Sequence, residues 1–139
     1  MLRKIFFVFI GAIWLMGCST SSQPATEITL EAKDLAYEPL SITVPVSQPV
    51  TLKIKNNGQV EHDFVIQKIN VTNVVKQDSG MDMSHDMDDE EYDLHISVLP
   101  GESSTITFTP TLAGTYQYFC TVAGHKEAGM VGELIVTAQ

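Results

Sequence analysis

The chain has 139 residues, of which 44% are hydrophobic and 18% are charged, and its formal net charge is −9 at pH 7. This length allows one folded domain behind a leader segment, but not two domains. A strongly acidic chain is a poor partner for the phosphate backbone of nucleic acids, so a nucleic-acid-binding function is excluded.

The amino-terminal segment has the features of an export signal. Two basic residues precede an apolar stretch at 5–16, which is shorter than the roughly 20 residues of a membrane-spanning helix but suits the core of a secretory signal. Leu15-Met16-Gly17-Cys18 resembles a bacterial lipobox, with methionine an unusual residue at its second place. We therefore predict a lipoprotein signal peptide at 1–17 and acylation of Cys18. An uncleaved anchor is the alternative, and in both cases the domain is exported and held at a bacterial membrane.

The chain has only two cysteines, which have different roles in this interpretation. If Cys18 carries lipid, Cys120 has no disulfide partner, and a single thiol in an exported protein indicates metal ligation. A disulfide between the two is the alternative, but it would tie a flexible segment to the end of a strand. Residues 18–26 are predicted to be a flexible tether, because 19–26 are small and polar.

Residues 27–139 show the period-two pattern of half-buried β-strands. The predicted strands lie at 28–32, 42–44, 50–54, 62–66, 94–98, 103–109, 115–120 and 131–137. The segment 68–75 fits either a short strand or a turn of helix. No stretch shows a strong helical period, so we predict an all-β domain built as a two-sheet antiparallel β-sandwich.

The segment 78–93 interrupts the strand pattern. It has eight acidic residues among its sixteen and no Lys or Arg, which is typical of a solvated surface loop. Its sulfur and imidazole groups belong to Met81, Met83, His85 and Met87. These side chains form a possible accessory copper site for loading or sensing, and in the alternative interpretation they are incidental. His95, just beyond the loop, is predicted to lie on the polar face of a strand.

The segment 115–132 contains the most specific chemical signal. Cys120, His125 and Met130 are spaced five residues apart, so that a thiolate, an imidazole and a thioether can converge on one point. Soft sulfur with imidazole selects copper, zinc or iron, and two His, one Cys and a weak axial Met form the blue-copper electron-transfer set. His62, after the Asn57-Gly58 turn signal, is predicted to supply the second imidazole.

The spacing Cys-x4-His-x4-Met before a final strand, with His62 upstream in a His-x-Phe context, resembles the cupredoxins. These are the plastocyanin and azurin group of type 1 copper proteins, and the auracyanin-like branch is the most similar. The resemblance covers 27–139 and implies a Greek-key β-sandwich with one type 1 copper site. It implies His62, Cys120 and His125 as equatorial ligands and Met130 as the axial ligand.

Asp63 departs from the pattern of that family, which often has Asn after the first ligand. A carboxylate only accepts hydrogen bonds, whereas an amide also donates them. This departure puts the hydrogen bond between the two ligand loops in doubt.

The resulting hypothesis is a type 1 copper protein that carries single electrons between redox partners at the cell envelope. The ring edge of His125, in a Gly-bounded loop, is predicted to be the exit for the electron. The acidic charge suits a redox partner with a basic docking face, or it only keeps the exported protein soluble. We expect a monomer.

The main alternative is a copper-trafficking or copper-tolerance lipoprotein that binds copper and passes it on. An enzyme is not predicted, because a nitrite reductase or multicopper oxidase needs further, closely paired imidazoles, and the chain has four histidines. A binuclear copper centre needs two bridging thiolates, and the domain supplies one. An adhesion-like sandwich that has lost its metal disagrees with the intact set of four ligands.

Overall fold

The computed structural model describes residues 26–79 and 92–138, and within these ranges the secondary structure consists of strands. The strands are β1 (Thr26–Lys33), β2 (Ala36–Glu38), β3 (Ser41–Pro45), β4 (Val50–Asn56), β5 (His62–Ile66), β6 (Val71–Gln77), β7 (Leu94–Val98), β8 (Ser103–Pro110), β9 (Gly114–Phe119) and β10 (Val131–Thr137). In the part of the chain that is described, no helix has the length and apolar character to cross a membrane.

The alternation of residue types in the sequence becomes an alternation of burial in the strands. Strand β8 buries every second residue along its length, and β4 and β10 follow the same period. Successive side chains of a strand point to opposite faces, so in these three strands one face enters the core and the other faces solvent. Strand β5 is different, because all five of its residues are buried, including the polar His62 and Asp63.

The strands form two five-stranded sheets, which confirms the predicted two-sheet sandwich. The first sheet has the order β2-β1-β4-β8-β6 and the second has the order β3-β10-β9-β5-β7. Each sheet contains one parallel pairing, β1 with β4 and β3 with β10, so the sheets are mixed rather than purely antiparallel as predicted. Between β1 and β4 the chain passes through β3 in the other sheet, and such a crossover lets two strands run in the same direction.

The core lies between the sheets and includes a cluster of three aromatic rings. The ring of Tyr118 lies 5.2 Å from that of Tyr37 and 5.1 Å from that of Phe64, measured between centroids. The hydroxyl of Tyr118 donates a 2.8 Å hydrogen bond to the carbonyl oxygen of Pro39. Because Tyr118 and Cys120 belong to the same short stretch of chain, this cluster supports the end of the sandwich that carries the predicted ligands.

All eight predicted strand runs are strands in the structure, and two strands are additional. The ambiguous segment 68–75 contributes to β6, an edge strand with a register shift between Thr72 and Val75 and with Asn73 at a φ of 55°. Strand β1 begins at Thr26, which the sequence assigned to the tether. The predicted signal peptide and Cys18 lie outside the described residues. So do the four candidate copper-binding residues of the acidic loop, Met81, Met83, His85 and Met87.

Candidate metal centre

Three adjacent strands of the second sheet bring the predicted ligands to one end of the sandwich. Cys120 directly follows β9, Met130 directly precedes β10, and His62 is the first residue of β5. Strands β9 and β10 pair antiparallel, which places the end of one beside the start of the other. Strand β5 also pairs antiparallel with β9, so His62 reaches the same end of the sheet.

The loop between β9 and β10 is held in shape by its own backbone. The amide of Met130 donates to the carbonyl oxygen of His125 at 2.9 Å, and the amide of Cys120 donates to the carbonyl oxygen of Met130 at 3.2 Å. Gly124 and Gly129 have φ angles of 83° and 102°, in the left-handed region that glycine adopts without a steric penalty. The small residues seen in the sequence thus allow a tight loop that returns the chain to the ligand site.

The thiol of Cys120 lies between the two imidazoles. Its Sγ is 3.4 Å from Nδ1 of His125 and 4.0 Å from Nδ1 of His62. The donor atoms of His62, Cys120 and His125 all lie within 4.8 Å of one another. Among residues 26–79 and 92–138, no other group of three His, Cys, Asp or Glu side chains is gathered this closely. A soft metal ion makes bonds of roughly 2.0–2.3 Å to nitrogen and sulfur, so separations of this size suit an ion bound between the three atoms.

Burial differs among the four predicted ligands. His62, Cys120 and Met130 are fully buried, whereas His125 is half-buried at the surface. Burial lowers the pKa of His62, and the nearby His125 lowers it further, so His62 is held in the neutral form that binds metal. Burial raises the pKa of the Cys120 thiol, and a 3.4 Å hydrogen bond from the amide of Asp63 to Sγ opposes this effect. A bound cation would favour the thiolate.

The side chain of Asp63 connects the two ligand loops. Its Oδ2 accepts a hydrogen bond from the hydroxyl of Thr121, the residue after Cys120. Its Oδ1 accepts a 2.7 Å hydrogen bond from the hydroxyl of Ser97 and lies 3.9 Å from Nε2 of His95. The contact between the loops therefore persists with Asp in place of Asn, because the partners are hydroxyl groups that donate to the carboxylate.

Asp63 is also held in its charged form. Burial acts to raise the pKa of this carboxyl, but the nearby imidazole of His95 and the hydrogen bonds from the hydroxyls of Thr121 and Ser97 outweigh it, and the pKa lies below its ordinary value of 3.8. His95 itself lies on β7 and is half-buried, as predicted for a strand residue outside the ligand set.

Tyr37 is a contributor to the site that sequence reasoning missed. It is buried on β2, and its hydroxyl donates to the carbonyl oxygen of Asp63. Burial strongly raises the pKa of this phenol, with the charges of Cys120 and Asp63 adding to the effect. Strand β2 has only three residues, which is too short for a period-two signal to stand out in the sequence.

The surface around His125 combines small apolar residues with one cation. Ala123 and Ala128 are exposed and Val122 is half-buried. The ammonium group of Lys126 lies 3.8 Å from the ring centroid of Phe119, at cation–π distance. The exposed edge of the site is thus partly apolar.

Comparison with known proteins gives consistent matches. A family model described as a cupredoxin-like domain matches residues 6–136. Auracyanin-A of Chloroflexus aurantiacus is 33% identical over 127 residues, which cover 84% of this chain and 77% of that protein. The copper-resistant cuproprotein CopI of Rubrivivax gelatinosus is 31% identical over 103 residues, covering 73% of this chain and 60% of that protein. The crystal structure of Na-dithionite-reduced auracyanin from Roseiflexus castenholzii has a TM-score of 0.61 at 27% identity, covering 81% of this chain and 97% of that chain.

Proposed function

The chain belongs to the cupredoxin-like family, and from this premise we propose that it is a type 1 copper protein that carries single electrons between redox partners at the cell envelope. The observation that carries the proposal is the convergence of Cys120 Sγ with Nδ1 of His62 and of His125. One thiolate with two imidazoles is a soft donor set that fits copper. The cofactor is therefore one copper ion, which supplies a one-electron couple when bound.

Each ligand has a distinct role in this proposal. The Cys120 thiolate would be the strong covalent ligand, and His62 and His125 would hold the ion through Nδ1. Met130 would be the weak fourth ligand, which tunes the reduction potential. Its burial at the start of β10 and its backbone hydrogen bonds to Cys120 and His125 support this assignment.

The protein's own contribution is to keep the ligands fixed and dry. His62, Cys120 and Met130 are fully buried, so three of the four proposed ligands are shielded from water. The ligands lie at the ends of paired strands, and the amide of Asp63 donates to the sulfur of Cys120. Ligands held in this way keep nearly the same positions in both oxidation states, which lowers the reorganisation that accompanies electron transfer.

His125 is the proposed exit for the electron. It is the least buried of the four ligands, and exposed Ala123 and Ala128 belong to its loop. A redox partner that contacts this edge would approach the ion without exposing it to solvent.

The test is the visible and paramagnetic spectrum of the purified protein with copper(II). We expect an intense thiolate-to-copper band, and Cys120→Ser should abolish it, because only a coordinated thiolate produces this transition. His95→Gln is the matched control, since it removes an imidazole outside the ligand set, and it should keep the band. A colourless copper adduct of the wild-type protein would contradict the proposal.

The second candidate function is copper trafficking or copper tolerance. It is favoured by the relative from Rubrivivax gelatinosus, which is named a copper-resistant cuproprotein. Stopped-flow mixing with a redox protein and, separately, with a copper(I) chelator distinguishes the two functions. A carrier of electrons reduces or oxidises its partner much faster than it releases copper, whereas a trafficking protein shows the reverse order.

The acidic loop is the proposed accessory copper site in this second function. Replacement of all four candidates should leave the blue band intact; these are Met81, Met83, His85 and Met87. If the loop binds copper, the wild-type protein holds more than one copper per chain and the variant holds one. A stoichiometry of one for both proteins would exclude the accessory site.

We further propose that the chain has no catalytic role, that it acts as a monomer and that acylated Cys18 anchors it to a membrane. A single-copper site on a chain with four histidines suits electron carriage rather than catalysis at a second copper centre. The acidic segment 78–93 favours a redox partner with a basic docking face.

A further inference from the structure

We propose that Asp34 positions the copper ligand His62 by accepting a hydrogen bond from its Nε2–H. The inference rests on the proposed function, in which His62 binds copper through Nδ1. Asp34 is then a positioning residue, which acts on the ion through the imidazole.

The two nitrogens of His62 have different surroundings. Nδ1 faces the sulfur of Cys120 at 4.0 Å. Nε2, on the other side of the ring, is buried and has no hydrogen-bond partner among the described residues. When Nδ1 binds a metal ion, Nε2 carries the proton and needs an acceptor, because a buried N–H without one is costly.

Gly58 keeps a small space open beside Nε2. A Cβ atom at Gly58 would lie 2.8 Å from Nε2 of His62 and 2.7 Å from Oδ1 of Asp34. The carboxylate oxygen and the imidazole nitrogen therefore border the same space. Only glycine leaves that space free, since a real Cβ does not approach other heavy atoms this closely.

Asp34 is well placed to act as the acceptor. It lies in the two-residue turn between β1 and β2, and its Oδ1 accepts a 3.0 Å hydrogen bond from the amide of Gln59. This bond fastens the turn to the segment that leads into His62.

Asn56 is the competing acceptor in the same space. Its Oδ1 would lie 3.2 Å from the Cβ position at Gly58, and it accepts a 2.8 Å hydrogen bond from the amide of Gly58, as Oδ1 of Asp34 accepts one from the amide of Gln59. Existing hydrogen bonds therefore do not distinguish the two acceptors, but their charge does. A charged carboxylate is the stronger acceptor of the two. Metal-bound histidines commonly donate their second N–H to a carboxylate, which fixes the ring and makes it a more basic ligand.

A more basic His62 stabilises the oxidised ion more than the reduced ion. Loss of the Asp34 carboxylate should therefore raise the reduction potential. Asp34→Asn keeps an oxygen acceptor without the charge, so we expect its effect to be smaller than that of Asp34→Ala.

The experiment uses the full-length, copper-loaded protein and pulsed electron paramagnetic resonance of the remote imidazole nitrogens. These nitrogens are the ones not bound to copper, and their quadrupole frequencies respond to hydrogen bonding. We expect Asp34→Ala to shift the frequencies of one remote nitrogen, that of His62, and to leave the other unchanged. Glu61→Ala is the matched control, because it removes an exposed carboxylate beside His62 in the chain, and it should leave both nitrogens unchanged.

Failure of this inference is distinguishable from failure of the proposed function. If Asp34→Ala keeps the blue band and leaves both remote nitrogens and the reduction potential unchanged, then Asp34 is not the acceptor. If Asp34→Ala does not fold, the same comparison is made with Asp34→Asn, where an unchanged potential overturns the inference. A wild-type protein with no blue band would instead overturn the copper assignment itself.

Discussion

Replacement of Asp63 by alanine tests how the two ligand loops are held together. The substitution removes the acceptor of two hydroxyl hydrogen bonds, from Ser97 and from Thr121, in a residue that is only 8% exposed. We expect the free energy of unfolding to fall, because both loops lose their shared anchor. The same change should loosen the position of Cys120, which directly precedes Thr121.

The size of this effect follows from the contacts. A hydrogen bond to a charged group contributes about 1.5–3 kcal/mol. Thr121 is exposed and can exchange its lost bond for water, and removal of the charge also relieves its cost of burial. We therefore expect a loss of about 2–4 kcal/mol for Asp63→Ala. Asp63→Asn keeps the shape and one carbonyl oxygen, so its loss should be about 1 kcal/mol.

The pH dependence gives an independent check. The pKa of Asp63 in the folded protein lies below its ordinary value of 3.8. The carboxylate therefore stabilises the fold fully above that ordinary value, and the stabilisation disappears as the pH falls through the lower folded pKa. The difference in stability between the wild-type protein and Asp63→Asn should be constant near neutral pH and should shrink below about pH 3.8.

Equilibrium urea denaturation of copper-free protein at several pH values measures these differences. Comparison of the same pair of proteins at each pH cancels the titration of the other groups that they share. Two results would refute the role of the charged carboxylate as an anchor. One is a loss of unfolding free energy below about 1 kcal/mol for Asp63→Ala. The other is a difference between the wild-type protein and Asp63→Asn that stays constant in acid.

Three other substitutions or conditions give further predictions. Met130→Leu should raise the reduction potential and keep the blue colour, and an unchanged potential in voltammetry would mean that Met130 is not the axial ligand. Gly132→Ala should destabilise the fold by about 3 kcal/mol in urea denaturation, because its Cβ would lie 2.2 Å from Cζ of the buried Tyr118. The control Gly101→Ala, at a φ of 77° with open space around it, should cost about 1–2 kcal/mol, and equal losses would contradict the steric argument. Electron transfer to a basic partner should slow as ionic strength rises, and a rate independent of salt would argue against an acidic docking contribution.

The amino-acid sequence was sufficient to predict most of the strands. Alternation of apolar and polar residues marks strands such as β4, β8 and β10, because each buries one face and exposes the other. It was also sufficient to predict the candidate ligands. Cys120, His125 and Met130 are close in the chain, and a loop of small residues can bring them together with few long-range contacts.

The alternation of apolar and polar residues is harder to recognise in a strand that does not bury one face and expose the other, and in a strand of only a few residues. Strand β6 is mostly exposed along the edge of the first sheet, so its alternation is faint. Strand β2 has three residues and a single buried side chain, Tyr37. The direction of each pairing was not readable either, since parallel and antiparallel neighbours of β1 or β10 have the same alternation.

The sequence by itself determined the β-sandwich class and the four candidate ligands, because these depend on periodicity and on short spacings. Only the tertiary structure decided which side chains surround the ligands. Tyr37 reaches the carbonyl oxygen of Asp63 across 26 positions of the chain, and Asp34 and His62 border the same space only because the turn between β1 and β2 lies against the turn at Gly58. Such contacts depend on how separate strands pack together, and residue spacing along the chain carries no information about that packing.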